Sequence, residues 1–178
     1  NYALSVSATT RNPRPGEENG REYFFLTESQ FEDMIKNDEL IEHARYVDHY
    51  YGTPKKYVEE KMAAGKDVIL EIEIQGALNI KKKFPDALLV FIVPPTAEDL
   101  KKRLIGRGTE SAEVIEKRLR RAAEESDGMD SYDYIVVNDD IDTCVEDLHS
   151  LIRSSHFKES ANTDLVARMK QELHDMTK

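Results

Sequence analysis

Short continuous apolar runs alternate along this chain with longer segments whose apolar positions recur every three or four residues. The runs are Val68 to Ile74, Leu88 to Val93 and Tyr134 to Val137. Runs of this kind predict strands buried on both faces of a parallel sheet. Shorter strands are expected over 2–7, over 23–26 and over 40–47, with a tyrosine-rich turn at 49–54. Helical periodicity covers 57–64, 77–83, 97–105, 112–125, 143–158 and 163–176. Thr27-Glu28-Ser29-Gln30 has the form of a capping box, with Phe31, Met34 and Ile35 as the apolar stripe behind it. Gly65 is a natural stop for the helix before it. Strands alternating with helices predict an α/β fold built on a parallel sheet flanked by helices.

Composition narrows the class. A chain of 178 residues, 39% apolar, suits one domain with its own core. No apolar run approaches the ~18 residues of a membrane span, so no membrane contact is expected. The lone Cys144 forms no intramolecular disulfide and fits a reducing, cytoplasmic setting. The five histidines show no zinc-ligand spacing. The net charge of −10 repels nucleic acid. Against this background the arginines cluster: Arg11, Arg14 and Arg21 form one group, and Arg103, Arg107, Arg118, Arg120 and Arg121 another. Two local arginine clusters in an acidic protein suit a small anionic ligand better than a polymer. For Arg120 and Arg121 a solvated helix face is an adequate reading.

The first cluster carries the densest chemistry. Ser7-Ala8-Thr9-Thr10-Arg11-Asn12-Pro13-Arg14 is followed by a Gly-rich turn and then Tyr23. Guanidinium forks and a phenol grip phosphate oxygens, and hydroxyls read polar ring edges. Glu42 stands in an otherwise apolar strand, followed by Tyr50-Tyr51-Gly52-Thr53. Taken singly, Glu42 also reads as a surface charge at a strand edge, and Arg11 and Arg14 as a surface turn. Glu71 and Glu73 stand two apart at the end of their strand, so period two puts them on one face, ~6.6 Å apart. Ligands of open α/β sheets bind at such strand ends. Two exposed carboxylates on a half-buried strand is the plainer alternative. Gly106-Arg107-Gly108 breaks a helical pattern and offers a lid hinge, whereas an amphipathic helix accounts for Arg103 and Arg118 equally well.

Together these segments resemble the guanylate kinases, and the resemblance extends through nearly the whole chain. It implies the nucleoside monophosphate kinase fold of the P-loop class, as one domain over 1–178. A GMP-binding subdomain would cover about 8–62 and a helical lid about 97–129, with the remainder as core. The family's Ser-x-Thr-Thr-Arg-x-Pro-Arg segment, matched from Ser7 to Arg14, implies that Arg11, Arg14 and Tyr23 hold the GMP phosphate and that Ser7 contacts the base. The Ile-Glu-x-Ala and Tyr-Tyr-Gly-Ser/Thr pair implies Glu42 and Thr53 as base readers and Tyr51 as a phosphate contact. A carboxylate meets the two adjacent donors of guanine; adenine presents an acceptor there and is rejected. The acidic-x-acidic-x-Gln-Gly match implies Glu71 near Mg²⁺ and Glu73 near the guanine. The lid match over 102–110 implies that Arg103, Arg107 and Arg118 stabilise the transferring phosphates. Asn138 corresponds to the adenine side of the donor site, although as a bare motif it is a strand end before a helix cap.

The activity implied is phosphorylation of GMP by ATP with Mg²⁺, with no nucleic acid or membrane as partner. Self-association is left open. One family element is missing. A phosphate-binding loop of the form Gly-x-x-x-x-Gly-Lys-Ser/Thr occurs nowhere in the sequence. The family carries it ahead of the position of Asn1, so the sequence is expected to belong to a longer parent and, taken alone, to be an impaired kinase. A different class also deserves weight: a silent guanylate-kinase-like module that binds phosphorylated peptides. Such modules lack a working phosphate loop, but they have no need of the lid arginines retained here. Another nucleotide kinase of similar fold is the third reading, and acceptor choice separates it from the first.

Overall fold

The structure, a computed structural model, describes residues 1–46, 48–106 and 111–177. It divides into two units, Asn1–Pro85 and Asp86–Lys178.

In the first unit, β1 (Tyr2–Leu4) pairs in parallel with β6 (Asp67–Ile69), Ala3 opposite Val68. A second sheet has the order β3-β2-β5-β4, with β2 at Ser7–Thr9, β3 at Tyr23–Phe25, β4 at Leu40–Tyr46 and β5 at His49–Pro54. β2 runs parallel to β3 and antiparallel to β5, and β5 runs antiparallel to β4. Three helices complete the unit: α1 (Glu28–Lys36), α2 (Lys55–Ala63) and α3 (Ile74–Lys83). One face of the mixed sheet is closed by α1. Phe31 of α1 is fully buried with Ala8 and Leu40, and its ring stacks on Tyr50 at 5.2 Å. Gly52 suits that close approach: a Cβ would come to 3.0 Å from both the Phe31 ring and the Glu42 carbonyl oxygen, tighter than ordinary contact.

In the second unit, β7 (Val90–Val93) and β8 (Tyr134–Val137) form a parallel pair, Phe91 opposite Ile135. The unit also contains α4 (Ala97–Gly106), α5 (Ala112–Ser126), α6 (Ile141–Ser155) and α7 (Thr163–Asp175); α6 packs on β8, and α4 on α5. Asp140 caps α6 by accepting the Thr143 N–H at 2.9 Å.

Four expectations from the sequence change. The single strand over 2–7 is two strands in two sheets. Ser5 N–H still bonds Ile69 at 2.9 Å, after which the chain crosses to new partners. The tyrosine-rich turn at 49–54 is the strand β5; its aromatic and β-branched residues pair along β4, and Asp48, with φ 67°, takes the left-handed position just before it. The strand predicted over 68–74 stops at Ile69, and α3 begins at Ile74 rather than Ala77. The cause is Glu73, whose carboxylate accepts the N–H groups of Gln75 and Gly76 and so starts the helix. Glu71 and Glu73 therefore lie beyond the paired strand, and their spacing is not that of ladder residues. Nor are the apolar runs buried on both faces. In β8 only Val136 is buried, while Ile135 and Val137 are 55% and 50% exposed. Tyr134, on the same face as Val136, is 40% exposed as well.

Candidate active site

The face of the mixed sheet opposite α1 gathers the residues singled out in the sequence. Directly paired residues share a face of a sheet, and three register pairs build this one. Ser7 lies opposite Tyr23, Thr9 opposite Tyr51, and Glu42 opposite Thr53. Glu42 reaches it only because β4 is irregular. Leu40 packs into the α1 core, and by simple alternation Glu42 would follow it. The register shifts between Leu40 and Glu42, and this bulge turns the carboxylate to the other face.

Glu42 is 4% exposed and Thr53 fully buried. The Thr53 hydroxyl donates to Glu42 Oε1 at 2.7 Å. Burial pushes the Glu42 carboxyl above the usual carboxylate range. The Thr53 hydrogen bond opposes the rise, and the Glu73 charge adds to it. A carboxylate so placed is fixed in direction and costly to leave unpaired.

Beside this pair stands an aromatic and cationic cluster. The Tyr51 ring meets Tyr23 edge-on at 6.1 Å and Tyr46 at 6.2 Å. The Arg11 guanidinium lies 5.4 Å from the centre of the Tyr23 ring and 5.6 Å from that of Phe25, a cation–π arrangement that orients the fork. Glu17 holds the same guanidinium in a two-point pair, both bonds 3.0 Å. Its Oε2 also accepts the Arg14 N–H at 2.6 Å. The Arg11 hydrogen bond brings the Glu17 carboxyl below its usual value. Tyr23 is pushed up by burial first and by the Glu71 charge second. Arg14 is exposed at the tip of the turn.

Glu73 caps α3, with Oε1 accepting the Gly76 N–H at 2.9 Å. α3 packs on β4, and Glu73 acts on the Glu42 carboxyl electrostatically. Glu42, Glu71, Glu73, Arg11, Arg14, Tyr23, Tyr51, Ser7 and Thr53 thus belong to one compact unit. The structure brings together Ser7, Arg11, Tyr23, Glu42, Tyr51 and Thr53, with Glu71 and Glu73 on the connection from β6 to α3. Such an array can read adjacent ring donors and hold a dianion beside them.

The chain is similar to known proteins. The family model for guanylate kinase matches residues 1–155. The guanylate kinase of Lactococcus lactis subsp. lactis is 51% identical over 158 residues, 89% of this chain and 77% of that protein. That of Caldanaerobacter subterraneus subsp. tengcongensis is 47% identical over 169 residues, 95% of this chain and 82% of that one. The crystal structure of guanylate kinase from Anaplasma phagocytophilum superposes with a TM-score of 0.77 at 32% identity, over 88% of this chain and 77% of that one. The chain belongs to the guanylate kinase family.

Its fold is accordingly the α/β fold of the P-loop nucleoside monophosphate kinases. The second unit carries the remaining residues that the guanylate kinase resemblance singled out. Arg103 is exposed on α4 and Arg118 lies half-buried on α5. Arg107 lies outside the described residues, as do Gly108, Thr109 and Glu110 of the same lid motif. Asn138 follows β8, and its N–H donates to the Val93 carbonyl at 2.7 Å.

Sequence reasoning passed over Glu17 and Gly76. Glu17 lay within the Arg-Pro-Gly segment, where a carboxylate three residues after an arginine was a usable signal. Gly76 closes the Gln-Gly of a matched motif, but nothing beside it in the sequence marks its contact, because its neighbour in space, Glu42, is 34 positions away in the chain.

Proposed function

We propose that this chain performs the chemistry of its family, transfer of a phosphoryl group from ATP to GMP to form GDP. The observation that carries this reading is the buried Glu42–Thr53 pair, set on one sheet face beside Arg11, Tyr23 and Tyr51. Glu42 and Glu73 accept from the guanine ring N–H and amino group, and Thr53 and Ser7 add hydroxyl contacts to the base. Adenine, with an acceptor where guanine has its ring N–H, leaves a buried carboxylate unpaired and is rejected. Arg11, Arg14, Tyr23 and Tyr51 hold the acceptor phosphate. Arg103, Arg107 and Arg118 neutralise charge on the transferring group, and Asn138 lies on the adenine side of the donor.

Among the described residues no group of three His, Cys, Asp or Glu side chains could hold a metal ion. Mg²⁺ fits that donor set only as it commonly binds in kinases, through one carboxylate with phosphates and waters. Glu71, exposed and near Tyr23, is the carboxylate we assign to it. When bound, the ion neutralises phosphate charge and holds the transferring group in line. No helix among the described residues is long and apolar enough to cross a membrane. We place the activity in the cytoplasm, which suits the single buried thiol.

ADP formation with ATP, Mg²⁺ and either GMP or AMP tests the reading. Turnover with GMP and none with AMP is expected. Glu42→Gln, which keeps the shape and an acceptor for Thr53, should raise the KM for GMP by about a hundredfold while the protein stays folded. Unchanged GMP turnover in that variant refutes the base-reading assignment.

A further inference from the structure

Gly76 stands in the first turn of α3 with ordinary helical backbone angles; it is not among the glycines with positive φ. Glycine is a poor residue at such a position, and alanine would hold the helix better. The backbone therefore gives no reason for glycine here. Space does. A Cβ at this position would lie 2.5 Å from Glu42 Oε2 and 3.1 Å from its Cδ, while the Ile72 methyl, at 3.5 Å, is in ordinary contact. A clash with a flexible side-chain tip is usually relieved by rotation. Glu42 lacks that freedom: its other oxygen is tied to the Thr53 hydroxyl at 2.7 Å and only 4% of the residue is exposed. Gly76 N–H meanwhile donates to Glu73 Oε1 at 2.9 Å. One residue thus touches both carboxylates, Glu42 through its bare Cα and Glu73 through its amide.

We propose that Gly76 is a positioning and specificity-determining residue. The missing side chain is the seat against which the Glu42 carboxylate is held in the direction that reads guanine. Helix propensity is given up at this position for that placement. The inference rests on the assignment of Glu42 as base reader.

Gly76→Ala tests it cleanly, because alanine keeps the amide that caps Glu73 and changes only the Cβ. Binding is read by calorimetry with GMP alone, so no donor nucleotide is involved. GMP affinity should fall about tenfold or more, the effect of losing a hydrogen bond to a charged group, with a melting temperature within about 3 °C of the parent. Glu42→Asp shortens the side chain by one methylene. Alone it should weaken GMP binding; in the Gly76→Ala background it should restore binding, a reversal of sign that a general loss of structure does not produce. If Gly76→Ala fails to fold, recovery of the fold by added Glu42→Asp supports the steric account, and a double variant still unfolded overturns it. GMP affinity within twofold of the parent in Gly76→Ala, with Glu42→Gln strongly impaired, overturns the role of Gly76 and leaves the base-reading assignment standing. Unimpaired binding in Glu42→Gln removes that assignment, and the inference with it.

Discussion

Burial raises the proton affinity of the Glu42 carboxyl, with Thr53 and Lys83 opposing and Glu73 reinforcing the rise. Between the ordinary glutamate value of 4.5 and the higher folded value, the folded chain keeps a proton that the unfolded chain has released. The contribution of Glu42 to stability is therefore greatest on the acid side and is lost as pH rises through that window. Guanine reading needs the opposite state, the anion. In thermal melts, the difference between the parent and Glu42→Gln should shift against the parent as pH climbs above 4.5, while GMP affinity of the parent rises. A difference that stays flat with pH would show that Glu42 is not held in this way. Glu17 runs in the other direction. Its carboxyl is lowered by Arg11, so its contribution is present at neutral pH and is lost only on acidification below the ordinary value.

The helix α1 shows how far local rules carry. The Thr27 hydroxyl accepts the Gln30 N–H at 3.2 Å and Gln30 Oε1 accepts the Thr27 N–H at 2.9 Å, the box written in the four residues themselves. Thr27→Ala should cost about 1 kcal/mol, read as a lowered melting temperature, with GMP affinity unchanged because the capping residue is exposed on the side of the sheet away from Glu42. A change in GMP affinity would mean that α1 moves the sheet face it supports. The β4 bulge marks where local rules stop. Alternation from Leu40 puts Glu42 in the α1 core, and only pairing with β5 shows that it faces the other way. The same holds at Glu73. Its run of apolar neighbours read as strand, but two amide hydrogen bonds to its carboxylate made it a helix cap.

Across the whole molecule, every residue we assign to GMP lies within Asn1–Pro85, and the lid arginines lie within Asp86–Lys178. Hydrogen exchange should therefore localise GMP binding. Amides over 7–11, 51–53 and 73–77 should slow with GMP and not with AMP, while those of α7 stay unchanged. Protection spread evenly over both units would count against a GMP site built from the first alone. The net charge of −10 leaves the anion-binding work to local geometry. The long-range field opposes an incoming nucleotide, and Arg11, fixed over two rings and by Glu17, supplies the attraction at short range.

The sequence by itself located most of the helices and the α/β class, because capping and periodicity are written in neighbouring positions, and it supplied the motif resemblance on which the proposed site residues from Ser7 to Thr53 rest. Tertiary structure decided which way Glu42 points, that 49–54 pairs as a strand, and that Gly76 lies against a carboxylate from a different strand. Those facts depend on pairing register and on atoms brought together from distant parts of the chain. No reading of adjacent residues contains them, since the excluded Cβ at 76 has meaning only once α3 has packed on β4.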